Sequence, residues 1–319
     1  MKLLIVGGTS FVGRAIAHAA VAKGHDVTVL NRGQTPSDLP ASVHRLIGDR
    51  QGDLSALDGQ SFDATIDAIA YRPSDVEVLA KALDGRGGHY IQISSVSAYQ
   101  YPSAVGATED TPLLDLGDIS PDAPVDGQTY GPLKAASERA AHEFFGANVG
   151  IIRPCYVIGS HDKTMRFPYW VARIKRGGKV AYPGPASAAM QWIDARDLGE
   201  FTVLMTEKLF VGAAHICAPS LGAGFGEMIT RIADRVGPAG TEIVEIEPSK
   251  LSDPSWFEKF PLWSGGFDPT VLALSNEYAV SLGLTLRSLE DSIDDTAAWL
   301  EGQSWPENWL SPEAEQTLF

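Results

Sequence analysis

Cysteine is scarce in this chain. Only Cys155 and Cys217 occur in 319 residues, too few for a disulfide framework or a four-cysteine zinc site. No stretch approaches the ~18–20 consecutive apolar residues of a membrane span. Met1 runs directly into the first apolar run, with no room for a signal peptide. The expected setting is therefore a reducing cytoplasm. Positive charge is also in short supply: 25 Lys and Arg stand against 40 Asp and Glu, a formal net charge of −15. Such a surface repels nucleic-acid phosphates and anionic membranes, so neither is an expected partner. An anionic ligand would have to be held by local donors and a few placed cations. Internal repeats and low-complexity segments are missing as well.

What is present begins at once. Lys2–Val6 reads as a buried strand, Gly7 and Gly8 break it, and a helical pattern starts near Phe11. A strand that turns on glycine into a helix places a pyrophosphate on helix N-terminal amides. Gly7, Thr9, Ser10, Phe11, Val12 and Gly13 are the expected lining, with Ser10 where a middle glycine is usual. A tight strand–helix turn in some other α/β protein is the alternative. The length accommodates one large domain or two unequal ones sharing a cleft.

The helix over 14–24 stops at Gly24, and Val27–Leu30 reads as the second strand. Asn31 and Arg32 follow. An acidic residue here binds the ribose 2′-OH of NAD, whereas arginine accommodates the 2′-phosphate of NADP. The expected cofactor is NADP(H) rather than NAD(H), unless Arg32 is a solvated loop residue. Val43–Ile47 is a third strand, ended by Gly48, Asp49 and Arg50. Asp49 either accepts from an adenine amino group or caps the next turn. A fourth strand over 62–70 brings Ala68, Ile69, Ala70 and Tyr71 to its carboxyl end, and a helix over 74–84 takes Ser74 as N-cap.

His89–Ser94 is the fifth strand and delivers Ser94, Ser95 and Ser97. A polar loop over 100–127 has no periodicity, and loops of that length are usually lids or disordered. Tyr130 and Lys134 then share one face of a helix that runs to about Phe145. Gly150–Arg153 is a sixth strand, followed by Pro154 and Tyr156. Helices are expected after 191–198, over 225–236 and near 270–280 and 288–301. Strands are expected over 213–217 and 241–246, and the last residues look like a docked or frayed tail.

GGTSFVG at the start, ISSVSAY after the fifth strand, YGPLK on the next helix and RPCYVIG after the sixth strand resemble, in that order, the extended short-chain dehydrogenase/reductase superfamily. Within it the chain is similar to the NAD-dependent epimerase/dehydratase family, and more so to its atypical members. The likeness covers roughly residues 1–300. It implies a Rossmann-type doubly wound parallel sheet with a smaller C-terminal α/β region. Residues 1–155 would be the NADP(H)-binding core and 156–319 mainly the substrate region, with 191–217 returning to the sheet. It also implies catalytic roles for Ser95, Tyr130 and Lys134. The chemistry agrees. Hydride reduction of a carbonyl leaves an alkoxide that needs a proton, which a phenol can supply. An unperturbed Tyr has a pKa of about 10, and a neighbouring cation lowers it. Lys134 is the expected cation, and in the family the matching lysine also binds the nicotinamide ribose. Ser95 would polarise the carbonyl, with Ser94 as the alternative. No metal is required.

Dehydratases of the family carry Asp-Glu after the catalytic Ser/Thr; here Val96 and Ser97 stand there. With Asn31–Arg32, this favours a simple NADP(H)-dependent reductase or the reverse dehydrogenase. The rivals are a nucleotide-sugar epimerase or 4-ketoreductase, and a non-catalytic NADP(H)-sensing or RNA-binding member. Tyr71, Ser97, Tyr156, Trp170, Trp192 and Trp263 are the expected contacts of a small-molecule substrate, although the aromatic residues suit a core equally well. Arg166, Arg173 and Lys175 either meet a diphosphate or form a solvated basic face. His161 is assigned no role. The Ala-rich face over 135–141 suggests a possible homodimer.

Overall fold

A computed structural model describes residues 1–100, 105–219, 224–251, 254–256, 259–263, 273–305 and 309–319. The elements, in chain order, are β1 (Lys2–Val6), α1 (Phe11–Ala22), β2 (Asp26–Asn31), β3 (His44–Ile47), β4 (Ala64–Asp67), α2 (Pro73–Leu83), β5 (His89–Ile93), α3 (Tyr130–Phe145), β6 (Val149–Pro154), β7 (Tyr156–Ile158), α4 (Arg166–Lys175), β8 (Lys179–Pro183), β9 (Trp192–Asp194), α5 (Ala195–Glu207), β10 (Gly212–Ile216), α6 (Gly224–Val236), β11 (Glu242–Ile246), α7 (Glu277–Leu282), α8 (Leu289–Trp299) and α9 (Pro312–Gln316).

Seven strands form one parallel sheet in the order β10-β6-β5-β4-β1-β2-β3. Its strands are nearly continuous apolar runs because helices cover both faces. One face buries Leu3, Ile5 and Ile66 against α1 and α5; the other buries Leu4, Val6 and Tyr90 against α2 and α3. The chain order reverses between β1 and β4, and a crevice outside the carboxyl ends of the strands at such a point is where α/β sheets take ligands. A second core is built around Phe167, Trp170, Met190 and Phe225. There β8 pairs with β11 and β7 with β9. The chain returns to the large sheet through α5 and β10, which pairs with β6.

Several boundaries differ from expectation. The fourth strand stops at Asp67, because the Asp67 carboxylate accepts the Ile69 N–H at 3.1 Å and turns the chain. Arg72, not Ser74, holds the cap position of α2. The Asp75 carboxylate takes the Tyr71 and Arg72 N–H groups, while the Ser74 hydroxyl donates to Asp122. The long polar loop is tied down in its described part: Tyr99 bridges to Leu113, and Glu109 accepts the His215 N–H at 3.0 Å. The tail is docked. Glu315 is 1% exposed and takes Arg173 Nε at 2.6 Å and the Ala181 N–H at 2.8 Å. The helix expected near 270–280 is shorter, and residues 264–272 lie outside the described residues, as do Phe257 and Phe267. No described helix is long and apolar enough to cross a membrane.

Candidate active site

Two clefts meet along the carboxyl ends of the strands. The first, about 390 Å³, is lined by Gly7, Thr9, Ser10, Asn31, Arg32, Asp49, Arg50, Ile69 and Tyr71. The second, about 550 Å³, is lined by Phe11, Val12, Ala68, Tyr71, Ser94, Ser95, Ser97, Tyr130, Lys134, Pro154 and Tyr156, and also by Gln128 and Arg166. Tyr71 stands in both.

The first cleft is built for close approach. A Cβ on Gly13 would lie 2.2 Å from the Gly7 carbonyl oxygen, so α1 starts directly against the turn that precedes it. Ser10 sits at the N-cap of α1; its carbonyl accepts the Arg14 N–H at 3.3 Å, and its side chain makes no cap hydrogen bond. Asn31 ends β2; its Oδ1 accepts the Gly33 N–H at 2.7 Å, and its buried Nδ2 has no partner. Arg32 is exposed at the rim and makes no hydrogen bond or ion pair with another described residue. Asp49 lines the cleft and also caps its own turn, accepting the Gln51 N–H at 3.1 Å. Arg50 is buried and bonds Asp67 at 2.7 Å.

The second cleft gathers the serines, Tyr130 and Lys134. Ser95 caps the short turn Val96–Ala98, accepting the Ser97 N–H at 3.1 Å and donating to Ser97 Oγ at 3.2 Å. The first turn of α3 packs on this turn. A Cβ at Gly131 would fall 2.3 Å from the Ser97 carbonyl oxygen, so glycine there lets Tyr130 stand beside Ser95. Burial pushes the Tyr130 phenol up to about 12, opposed by a hydrogen bond with Ser95 and the charge of Arg166. The Ser94 hydroxyl donates instead to Glu138, which is gripped by Arg153.

Lys134 is 2% exposed. Its ammonium donates to the Ala70 carbonyl at 2.8 Å and the Ile93 carbonyl at 2.9 Å. Burial lowers its pKa to about 8, against the pull of Asp67, Glu138 and Asp75. The Lys134 ammonium stands 5.9 Å from the centre of the Tyr130 ring, and the charge of Arg166 also acts on the phenol.

Other expected contacts fall elsewhere. Trp170 is fully buried and donates Nε1 to the Pro261 carbonyl at 2.8 Å. Trp192 and Trp263 are 6% and 7% exposed in the same core. None of the three lines the clefts above, because stacked rings fill the C-terminal region rather than wall a cavity. Arg173 is spent on Glu315, and Lys175 faces Glu301 at 3.9 Å, so no arginine cluster forms. Ala135, Ala136, Ala140 and Ala141 are buried within the chain. Gln128 and Tyr71, as a cover on Lys134, were the harder residues to find. Only their sequence proximity to Tyr130 and Ala70 signals them.

The comparisons bear on the family and the fold. A sequence model of the NAD dependent epimerase/dehydratase family matches residues 3–80 and 58–216. The chain is 27% identical over 225 residues to the chloroplast stem-loop binding protein of 41 kDa b from Arabidopsis thaliana, covering 65% of this chain and 56% of that one. It is 28% identical over 218 residues to the bifunctional pinoresinol-lariciresinol reductase of Thuja plicata, covering 63% and 64%. The chain thus spans less than two thirds of the length of both relatives. The crystal structure of UDP-glucuronic acid 4-epimerase from Bacillus cereus, in complex with NAD, superposes with a TM-score of 0.68 at 18% identity, covering 94% and 99%. With the family pattern matched across the sheet and both clefts, the chain belongs to the NAD-dependent epimerase/dehydratase family.

Proposed function

We propose that the protein is an NADP(H)-dependent oxidoreductase that reduces the carbonyl of a small or medium organic molecule, or oxidises the alcohol, with Ser95, Tyr130 and Lys134. The observation that carries this reading is the packing of α3 on the Ser95–Ser97 turn, which sets a hydroxyl and a phenol side by side in one cleft.

The first cleft fits the dinucleotide. The Gly7–Gly13 turn would hold the diphosphate. At the ribose position, Asn31 Oδ1 already accepts from Gly33, and its buried NH₂ has no partner. A donor paired with Arg32 matches the acceptor oxygens of a 2′-phosphate better than the donating hydroxyl of NAD. When bound, the nicotinamide supplies or takes up the hydride. The chain's part is proton chemistry. Ser95 Oγ donates to the carbonyl oxygen and polarises it. Tyr130 is protonated at neutral pH and gives its phenolic proton to the developing alkoxide. Lys134, 5.9 Å from the centre of the Tyr130 ring, and Arg166 supply the positive charge that favours the phenolate left behind.

A nucleotide-sugar epimerase is the second reading, supported by the NAD-bound structural neighbour. The dispersal of Arg166, Arg173 and Lys175 weighs against a diphosphate site in the substrate region. RNA binding has the stem-loop binding relative in its favour and the charge of −15 against it. The test is a panel of ketones and aldehydes with NADPH, followed by loss of its absorbance. Turnover by the wild type and none by Tyr130→Phe supports the reading. Activity unchanged in Tyr130→Phe overturns it.

A further inference from the structure

The second cleft holds little charge. Among the described residues that line it, Lys134, Asp162 and Arg166 are the charged ones. Lys134 is buried, and two carbonyls hold its ammonium. Asp162 is 1% exposed, and its carboxylate already accepts the Thr164 N–H at 2.9 Å, the Thr164 hydroxyl at 2.6 Å and the Arg166 N–H at 3.2 Å. Arg166 differs, because its side chain is 33% exposed. It opens α4, and its head is fixed from one side. The Thr164 hydroxyl accepts from Arg166 Nε at 3.1 Å while donating to Asp162, and Trp309 Nε1 anchors the turn by donating to the Thr164 carbonyl at 2.9 Å. The guanidinium comes no closer than 3.9 Å to the Asp162 carboxylate, and does so at that same Nε. Neither Nη1 nor Nη2 has a hydrogen-bond partner among the described residues. An arginine held by Nε presents its other two nitrogens as a fork, which the two oxygens of a carboxylate match. The fork, Ser95 and Tyr130 line one cleft of about 550 Å³, so a single small molecule can meet all three.

We infer that Arg166 is a specificity residue that grips a carboxylate of the substrate, so that the carbonyl reduced in this cleft belongs to an oxo acid, or the alcohol oxidised there to a hydroxy acid. This rests on the oxidoreductase reading of the second cleft and narrows its substrate. One fork matches one negative charge. Arg173 and Lys175, the other basic residues of α4, face Glu315 and Glu301. Lys163 lines a different cleft, with Arg14 and Asp38. A phosphate dianion or a diphosphate would therefore find no second exposed cation in the described lining. Thr164 is a positioning residue, because it acts by holding Nε.

The test compares oxo acids of increasing size with their amides, each reduced with NADPH. The amide keeps the carbonyl and nearly the shape of the acid, without its charge. The wild type should favour the acid by about 10- to 100-fold in kcat/KM, as for a charge-assisted pair. Arg166→Gln should bring that ratio close to one, and Arg166→Lys, which keeps the charge without the fork, should fall between. Taking the ratio cancels what Arg166 does for Tyr130, which both substrates share. Thr164→Val should shrink the preference mainly by raising KM for the acid. Should a variant fold poorly, the wild type alone decides: phenylglyoxal labelling of Arg166, mapped by mass spectrometry, should be slowed by the acid and not by the amide. Wild type that reduces amides as well as acids leaves the oxidoreductase reading standing and overturns this inference. Wild type that reduces no carbonyl compound overturns both. A phosphorylated carbonyl preferred to every oxo acid, or an acid preference that survives in Arg166→Gln, would also overturn the assignment.

Discussion

The ammonium of Lys134 stands 4.4 Å from the centre of the Tyr71 ring and 5.9 Å from that of Tyr130. An ammonium has three N–H donors. Ala70 and Ile93 take two of them, and the Tyr71 face covers the group on the side where the two clefts meet. Tyr71 is itself 37% exposed, so it can move aside. Tyr71→Ala should uncover Lys134. Pyridoxal phosphate with borohydride, mapped by mass spectrometry, should then label Lys134 in the variant far faster than in the cofactor-free wild type. Equal labelling would show that the ring is no cover.

The buried ammonium also predicts a pH dependence. The pKa of Lys134 is lowered from 10.5 to about 8. Below pH 8 the folded state carries a desolvated charge. From there towards 10.5 the unfolded chain binds the extra proton, so this group's contribution to stability rises with pH. Other phenols and thiols titrate nearby, so the comparison is with Lys134→Met. In urea unfolding, the wild type should gain on the variant between pH 8 and about 10. Parallel stability curves would contradict the buried, pKa-lowered lysine.

Tyr130→Phe removes one oxygen atom from the second cleft and none from the first. Turnover should fall by about 100- to 10,000-fold, the usual contribution of a positioned acid. The dissociation constant for the dinucleotide, read by its fluorescence, should stay within about twofold. A large loss of binding would place the phenol in the cofactor site instead.

Far from the clefts, Glu315 and Arg173 fasten the C-terminal helix onto α4 and β8 with both side chains buried. Glu315→Ala leaves a buried guanidinium unpaired, and should cost about 3–5 kcal/mol in urea unfolding. Its exposed neighbour makes the control: Glu313→Ala should fall within about 0.5 kcal/mol of the wild type. Similar values for the two would mean that the tail is not docked.

The sheet was legible because most of its strands, though not the largely exposed β3, are short apolar runs closed by glycine, proline or a polar turn, and Gly7–Gly13, Ser95 and Tyr130–Lys134 occupy fixed places on it. What the sequence could not resolve depends on partners distant in the chain. Trp170 and Trp263 read equally well as pocket or core until Phe225 and Phe260 are seen edge-on or stacked against them, and Trp192 until it is seen buried in the same core. Arg173 could be read only as meeting a diphosphate or as part of a solvated face, because its partner, Glu315, lies 142 residues away. The cap of α2 was misplaced by two residues because the helix starts at Pro73, with the Asp75 carboxylate reaching back to the Tyr71 and Arg72 N–H groups. Helix spacing puts Lys134 one turn from Tyr130, but it could not show that the Ala70 and Ile93 carbonyls hold its ammonium.

The central claim, an NADP(H) site joined to a proton-donating phenol, is tested most directly by paired fluorescence titrations of NADPH and NADH on wild type and Arg32→Ala. The account predicts that the wild type prefers NADPH by at least about tenfold. In the variant that preference should collapse through weaker NADPH binding, with NADH nearly unchanged. Equal affinity of the wild type for the two, or a preference for NADH, would contradict it.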